Sequence, residues 1–275
     1  MASAGRSTLL SLAAALQRRV RRYPTLIQAI RTTRNLVHFG PWRPVALGYL
    51  RLTSPPAAPA SGQPSAMLAP VEVPAAVRSL EEDGYFPGMR VRPELVEESA
   101  AFWRDRAPGV YIDVHLQSTA LARMASDPEV LRVVRAYFGC EPTLVECKLF
   151  VSDVSLPDVL ATGFHFDHAG VRSLNVMVYL TPVDLETGPH VLVAGTHRNK
   201  KLRDYFREMT PIEEIERRYP RDVRVVTGPA GSVLLENAEV FHRRLQAQRR
   251  RVAMITVFST SRRRVLSVGK DQRVA

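Results

Sequence analysis

Three side chains in this sequence have the types and spacing to hold a metal ion. In the segment GFHFDHAG, residues 163–170, His165 and Asp167 lie two apart. On an extended strand such residues point to the same face, so an imidazole and a carboxylate would stand side by side. A second nitrogen ligand from a distant strand would complete a two-histidine, one-carboxylate face. That arrangement leaves three metal positions open and suits non-haem Fe(II). His242, in SVLLENAEVFHRRL, is the candidate for the distant ligand. A His-x-Asp tripeptide is common at ordinary strand ends and turns, so the surrounding elements must decide.

Those elements change character along the chain. Residues 93–106 and 118–138 have apolar side chains three or four apart and predict helices, with Gly139 as the stop. Short strand-like runs follow: TLVECKLFVSDV, SLNVMVYLTPV, HVLVAG, VRVVTG, SVLLEN and VAMITVFST, bounded by Gly, Pro and Asn. Helices first and many closely spaced strands after predict an α+β chain whose strands pair antiparallel in a sandwich or jelly roll.

The composition sets the outer limits. At 275 residues, 45% hydrophobic and 24% charged, the chain is long enough for one full-sized domain plus a smaller part, and too apolar for disorder throughout. No run approaches the roughly 18 apolar residues of a spanning helix, which argues against an integral membrane protein. Cys140 and Cys147 are too few for a disulfide scaffold and lack zinc-site spacing; we read both as buried thiols in a reducing compartment. The net charge of +11 is uneven: residues 1–71 hold nine arginines and no acid, residues 241–275 hold ten basic residues against Asp271, and the stretch between is acidic. An acidic middle argues against nucleic acid as the partner.

Residues 7–22 predict a basic amphipathic helix, and Pro24 can open a second. Residues 54–71, rich in Pro, Ala and Ser, read as a linker. The organisation is therefore a basic helical arm over 1–53, a linker over 54–71 and one domain over 72–275. The arm suits the anionic face of a membrane, at about 1 kcal/mol per basic residue near the surface. It equally suits a mitochondrial targeting segment. Location is accordingly cytoplasmic with peripheral membrane contact, or mitochondrial.

From Ser173 to Arg198 the sequence SLNVMVYLTPVDLETGPHVLVAGTHR resembles the phytanoyl-CoA dioxygenase family of Fe(II)- and 2-oxoglutarate-dependent oxygenases. An apolar strand and a loop lead to Gly188-Pro189, a short strand, and Gly195-Thr196-His197, with threonine for the family's usual serine. A helical insertion, the strand GSVLLEN and His242 follow, and SLEEDGYFPG is similar to the family's opening. The resemblance spans about residues 78–260. It implies a double-stranded β-helix, a cupin-like jelly-roll barrel with helices outside one sheet. It also implies Fe(II) on His165, Asp167 and His242, and 2-oxoglutarate as cosubstrate.

In that family an arginine beyond the distal histidine grips the far carboxylate of 2-oxoglutarate, a task that suits a planar, permanently charged fork. Arg249, Arg250 and Arg251 compete for it. Parity puts Arg249 and Arg251 on one face and Arg250 on the other, but both faces continue apolar. The family pattern favours Arg251. Arg249 stays open because RRLQAQRR lacks the Gly and Ser residues usual there. Asn175 is a further cosubstrate candidate, since its amide can donate to a bound carboxylate, and Tyr179 shares its parity. Lys148 reads as an edge-strand lysine, His38, His115, His168 and His190 as surface or hydrogen-bonded residues, His197 as part of a turn, and Arg262–Arg264 as a solvated tail. The reaction implied is O2-dependent hydroxylation of an unactivated carbon in a small or lipid-like substrate, releasing succinate and CO2. The competing readings are a non-catalytic jelly-roll metal or ligand-binding module and a metal-dependent hydrolase using the same ligands.

Overall fold

The computed structural model describes residues 42–53, 64–155, 162–167 and 169–260. The two helices expected before residue 42, most of the expected linker, His38, His168 and Arg262–Arg264 lie outside them. A helix α1 (Arg43–Thr53) comes first and is tied to the domain by Arg51, whose Nε donates to the Phe138 carbonyl at 3.1 Å. Then come α2 (Val73–Glu82), β1 (Tyr85–Arg90), α3 (Pro93–Trp103), β2 (Gly109–Ile112), α4 (Thr119–Ala125), α5 (Pro128–Phe138) and β3 (Thr143–Ser152). The second half holds β4 (Ser173–Tyr179), β5 (His190–Val193), α6 (Ile212–Arg218), β6 (Val223–Val226), β7 (Ser232–Asn237), β8 (Phe241–Arg244) and β9 (Arg251–Ser259). None of the described helices is long and apolar enough to cross a membrane.

The strands form two antiparallel sheets, a large one in the order β1-β7-β4-β9-β3-β2 and a small one in the order β6-β5-β8. From β4 on the chain passes back and forth between the sheets, with β4 in the large one, β5 and β6 in the small one, β7 in the large, β8 in the small and β9 in the large, in the manner of a jelly roll. Period-two alternation then gives each sheet two different faces. On the large sheet Cys147, Leu149, Val151, Val176, Val178, Leu235, Val252 and Met254 face outward and pack under Leu80, Leu121, Met124, Val133 and Phe138 of the helices. Met177, Tyr179, Leu234 and Ala253 face inward and meet Leu192 of the small sheet. The outer face of the small sheet, with Val191, Val193 and Phe241, is covered by Ile215 of α6.

The structure differs from the sequence expectations in local detail. The helix expected over 118–138 is two helices, because Pro128 supplies no amide N–H and Asp127 caps the second one, accepting from Glu129 N at 2.9 Å and Val130 N at 3.1 Å. The other Asp127 oxygen accepts from Ser65 Oγ at 2.9 Å and Ala66 N at 2.5 Å. That contact buries Ala66 and Met67, so domain packing begins ahead of residue 72 and takes in the end of the expected linker. Lys148 is not on an edge: β3 is flanked by β9 and β2, and its Nζ pairs with Glu146 at 2.6 Å.

Candidate metal centre

The sequence around His165 is pinned to the rim of the small sheet by two isolated bridges, Phe164 with Thr210 and His165 with His242. The amide of His165 donates to the His242 carbonyl at 3.0 Å, and the return bond is 2.8 Å. Two residues on, Asp167 N donates to the Ala238 carbonyl at 2.7 Å. These backbone bonds, rather than a regular strand, bring His165 and Asp167 to His242 on β8. The two imidazoles meet edge to face with centroids 4.4 Å apart, and His242 Nε2 lies 3.4 Å from Asp167 Oδ2. One ligand-type atom from each of the three lies within 4.8 Å of the others.

A second group of three shares His242 and meets the same criterion: His190, Glu236 and His242. Sequence reasoning missed Glu236 and read His190 as surface or hydrogen-bonded. Both are almost fully buried, at 1% and 3% exposure. His190 Nε2 sits 3.1 and 3.2 Å from the two Glu236 oxygens, which only accept when ionised, so this nitrogen carries a proton. His242 Nδ1 lies 3.0 Å from the Val240 carbonyl and 3.5 Å from Glu236 Oε1; it too must donate, which leaves Nε2 directed at Asp167. The signal available in the sequence was a lone carboxylate on the apolar strand SVLLEN, two residues from Leu234 and so on the same inward face.

The two groups differ in what they offer a metal. In the buried trio His190 Nε2, His242 Nδ1 and the Glu236 oxygens are committed to one another and to Val240, while His190 Nδ1 has no hydrogen-bond partner. In the outer trio the Asp167 side chain is 59% exposed, which leaves an open side for further ligands. Electrostatics follow the burial. Desolvation, helped by the neighbouring His242, holds His165 down to about 4, so its ring is neutral near pH 7 and can donate a lone pair. Desolvation also pushes His242 down, but Glu236 and Asp167 together outweigh it and bring it to about 9. Burial would raise Glu236, yet His190 and His242 lower it, and it stays ionised. Two nitrogens and one oxygen with an open side fit an Fe(II) ion, once it displaces the His242 proton.

The three arginines have three different surroundings. Arg249 is exposed and pairs with Asp184 at 2.6 Å and Glu186 at 2.9 Å. Arg250, also exposed, donates to the carbonyls of Trp103, Arg104 and Arg106 at the end of α3. Arg251 opens β9 on the inward face, is 2% exposed, and donates through Nη1 to the Gly188 carbonyl. Its charge acts on both His190 and Tyr179, which line the same interior. Asn175 faces inward on β4 beside Glu236, buried, with no hydrogen-bond partner for Oδ1. Tyr179 instead joins the sheets, donating to the Val226 carbonyl at 2.8 Å and accepting from His190 N at 3.2 Å. His197 ties its turn to the end of α2 through the Glu81 carbonyl at 3.0 Å. A groove between α2 and α5, lined by Val73, Val77, Arg78, Glu81 and Glu82, contains no ligand-type histidine and lies on the helix side of the large sheet.

A jelly roll with a two-histidine, one-carboxylate group at its rim and an arginine enclosed behind it defines the class of non-haem iron oxygenase scaffolds. Residues 88–251, more than half of the chain, match the model of the phytanoyl-CoA dioxygenase (PhyH) family, and the chain belongs to that family. Comparison with curated proteins gives no match. Among solved structures the chain is similar to SnoN, described as a non-haem α-ketoglutarate-dependent epimerase from nogalamycin biosynthesis, with 18% identity and a TM-score of 0.57 over 68% of this chain and 82% of that one. It is also similar to SnoK, described as a carbocyclase from the same biosynthesis, with 18% identity and a TM-score of 0.53 over 69% and 86%. EctD from S. alaskensis, in its apo form, gives 18% identity and a TM-score of 0.51 over 75% and 83%. At these identities the likeness speaks to the fold.

Proposed function

We propose that this chain is an Fe(II)- and 2-oxoglutarate-dependent dioxygenase that hydroxylates an unactivated carbon of a small or lipid-like substrate. The observation that carries the reading is the convergence of His165, Asp167 and His242 on an open side, with Arg251 enclosed in the same interior. His165, Asp167 and His242 would hold the iron. Arg251 would pair with the far carboxylate of 2-oxoglutarate, and Asn175 would donate its amide to the bound cosubstrate. With these groups and O2 bound, the chemistry supplied is oxidation of a C–H bond coupled to decarboxylation of 2-oxoglutarate to succinate and CO2. The protein's own part is to hold three ligands and one cation at fixed spacing and to keep water from the apolar walls formed by Met177, Leu192 and Leu234.

The neighbouring structures described as epimerase and carbocyclase make the outcome at the substrate carbon a separate question from the class. Asp167 argues against halogenation, which needs a small residue in place of the carboxylate so that halide can bind; hydroxylation is our reading of the outcome. An enclosed Arg251 behind the metal ligands has no task in a metal hydrolase, which favours the oxygenase reading over that alternative. Supporting experiments begin with anaerobic loading of the full chain with Fe(II), then addition of 2-oxoglutarate and O2. Succinate should form in the wild type and be absent in His165→Ala and Arg251→Ala. Wild-type protein that takes up iron but never forms succinate, with or without candidate substrates, would overturn the proposal. We extend the proposal to the arm: its arginines give peripheral contact with anionic membrane, in a cytoplasmic setting.

A further inference from the structure

We propose that Glu236, braced by His190, is a positioning residue for His242 and hence for the metal centre; this rests on the reading that His165, Asp167 and His242 hold the metal. A carboxylate enclosed at 1% exposure beside the apolar run Val233, Leu234 and Leu235 of β7 is costly unless it is paired. Its partners here are two imidazoles of the facing sheet. His190 Nε2 lies 3.1 and 3.2 Å from its two oxygens, and His242 Nδ1 lies 3.5 Å from Oε1. β5 and β8 are adjacent in the small sheet, and the two rings stack obliquely with centroids 5.3 Å apart. Glu236 therefore reaches from the large sheet across the interior and takes hold of the small sheet behind the ligand.

The side of His242 that Glu236 touches is the side away from Asp167. Nδ1 is directed at Val240 and Glu236, and Nε2 at Asp167. A metal-bound histidine commonly donates its other N–H to a carboxylate or carbonyl, which fixes the tautomer, the ring orientation and the basicity of the bound nitrogen. Here one imidazole meets both kinds of acceptor. His190 supplies the brace: with both Glu236 oxygens engaged by its Nε2–H, the carboxylate cannot rotate away from His242. The buried trio is thus an orienting device rather than a second metal site, because the two nitrogens that face Glu236, His190 Nε2 and His242 Nδ1, are occupied as donors.

The test uses the full chain and Co(II) as the probe ion, reading affinity by calorimetry, the Co(II) absorption spectrum and thermal unfolding. Glu236→Ala should weaken Co(II) binding by about 10–100-fold and alter the spectrum at saturation. Glu236→Gln, which keeps one acceptor oxygen at the same reach, should fall between Glu236→Ala and wild type. Should Glu236→Ala fail to fold, His190→Ala is read in its place, and its spectrum should differ from wild type. A folded Glu236→Ala or His190→Ala with wild-type affinity and spectrum overturns the inference and leaves the metal site standing. Co(II) binding that survives His165→Ala and Asp167→Ala but vanishes in Glu236→Ala would put the ion in the buried trio and overturn both readings. Wild-type protein that takes up no Co(II) would overturn the site reading, and this inference with it.

Discussion

Metal binding at neutral pH should release close to one proton from this protein, and the proton should come from His242. A metal needs neutral imidazoles. His165 already meets that need, since burial and the nearby His242 hold it down to about 4. His242 does not: although burial pushes it down, Glu236 and Asp167 raise it to about 9, so in the metal-free protein its ring is charged near pH 7. With one proton to displace, apparent metal affinity should rise about tenfold per pH unit below 9 and level off above it. Between pH 7 and the plateau the gain should be about a hundredfold by the same linkage. The measurement is calorimetric titration with Mn(II) in buffers of different ionisation enthalpy, repeated from pH 6 to pH 9.5. Release of no proton near pH 7, or an affinity flat over that range, would refute the electrostatic account of His242.

The same two histidines set opposite limits on the stability of the metal-free protein. His242 is raised from 6.5 to about 9, so its contribution is fully present below 6.5 and is lost as pH rises through 9. His165 is lowered from 6.5 to about 4, so its contribution is present above 6.5 and is lost as pH falls through 4. Together they place the pair's optimum near 6.5, and added metal should shift the melting temperature most on the alkaline side.

Further predictions follow from the arginines, the cap and the arm. Arg251→Ala should weaken 2-oxoglutarate binding by about 2–5 kcal/mol, while Arg249→Ala and Arg250→Ala leave it unchanged, as read by anaerobic titration of the Fe(II) protein. Loss in Arg249→Ala alone would reverse the assignment. Asp127→Ala removes the cap of α5 and the acceptor for Ser65 and Ala66, and should cost about 2–3 kcal/mol in urea unfolding. A loss under about 0.5 kcal/mol would mean the four bonds are replaced by solvent. Deleting residues 1–41, which hold seven arginines and no acid, should abolish sedimentation with acidic vesicles, and wild-type binding should be lost as the Debye length falls to about 3 Å near 1 M salt. A full chain that ignores acidic vesicles at low salt would end the membrane reading of the arm.

What was legible in the sequence was what local chemistry dictates. Alternating apolar runs marked β3, β4, β5, β6, β7 and β9, because each has one face against the helices or the other sheet. β8 was not legible as a strand: FHRR carries two arginines, and its pairing comes from β5 and His165 rather than from its own pattern. β1 contains Pro87 and Gly88 and a register shift between Phe86 and Met89, so period-two reading fails there too. Strand parity anticipated His165 and Asp167 on one side, but there is no regular strand there, and the long-range backbone bonds of residues 165 and 167 to His242 and Ala238 bring the three together. The choice among the three arginines could not come from alternation, since both faces of β9 continue apolar. It depends on Asp184, Glu186 and the end of α3, which are remote in sequence and take up Arg249 and Arg250.

Two residues that the sequence reading passed over, Glu236 and His190, share a location with two that it named, Asn175 and Arg251. Glu236, His190, Asn175 and Arg251 all lie on inward faces of strands of the two sheets, all are under 7% exposed, and all interrupt a core that apolar side chains would fill at lower cost. A sandwich selected for stability alone would have no reason to place a carboxylate, an imidazole, an amide and a guanidinium between its sheets. Their order is also consistent. His242 and Glu236 stand at the proposed metal end, His190 is two residue pairs further along β5 and β8, and Arg251 donates to the Gly188 carbonyl beyond it. Gly188 has φ +73, and a Cβ there would come within 2.6 Å of the Leu245 carbonyl, so the turn that receives Arg251 is restricted to glycine. On our proposal these polar residues join a cation site to a fixed positive charge within one interior. A small dianion bound at both ends would use such an arrangement, and a purely structural jelly roll would not.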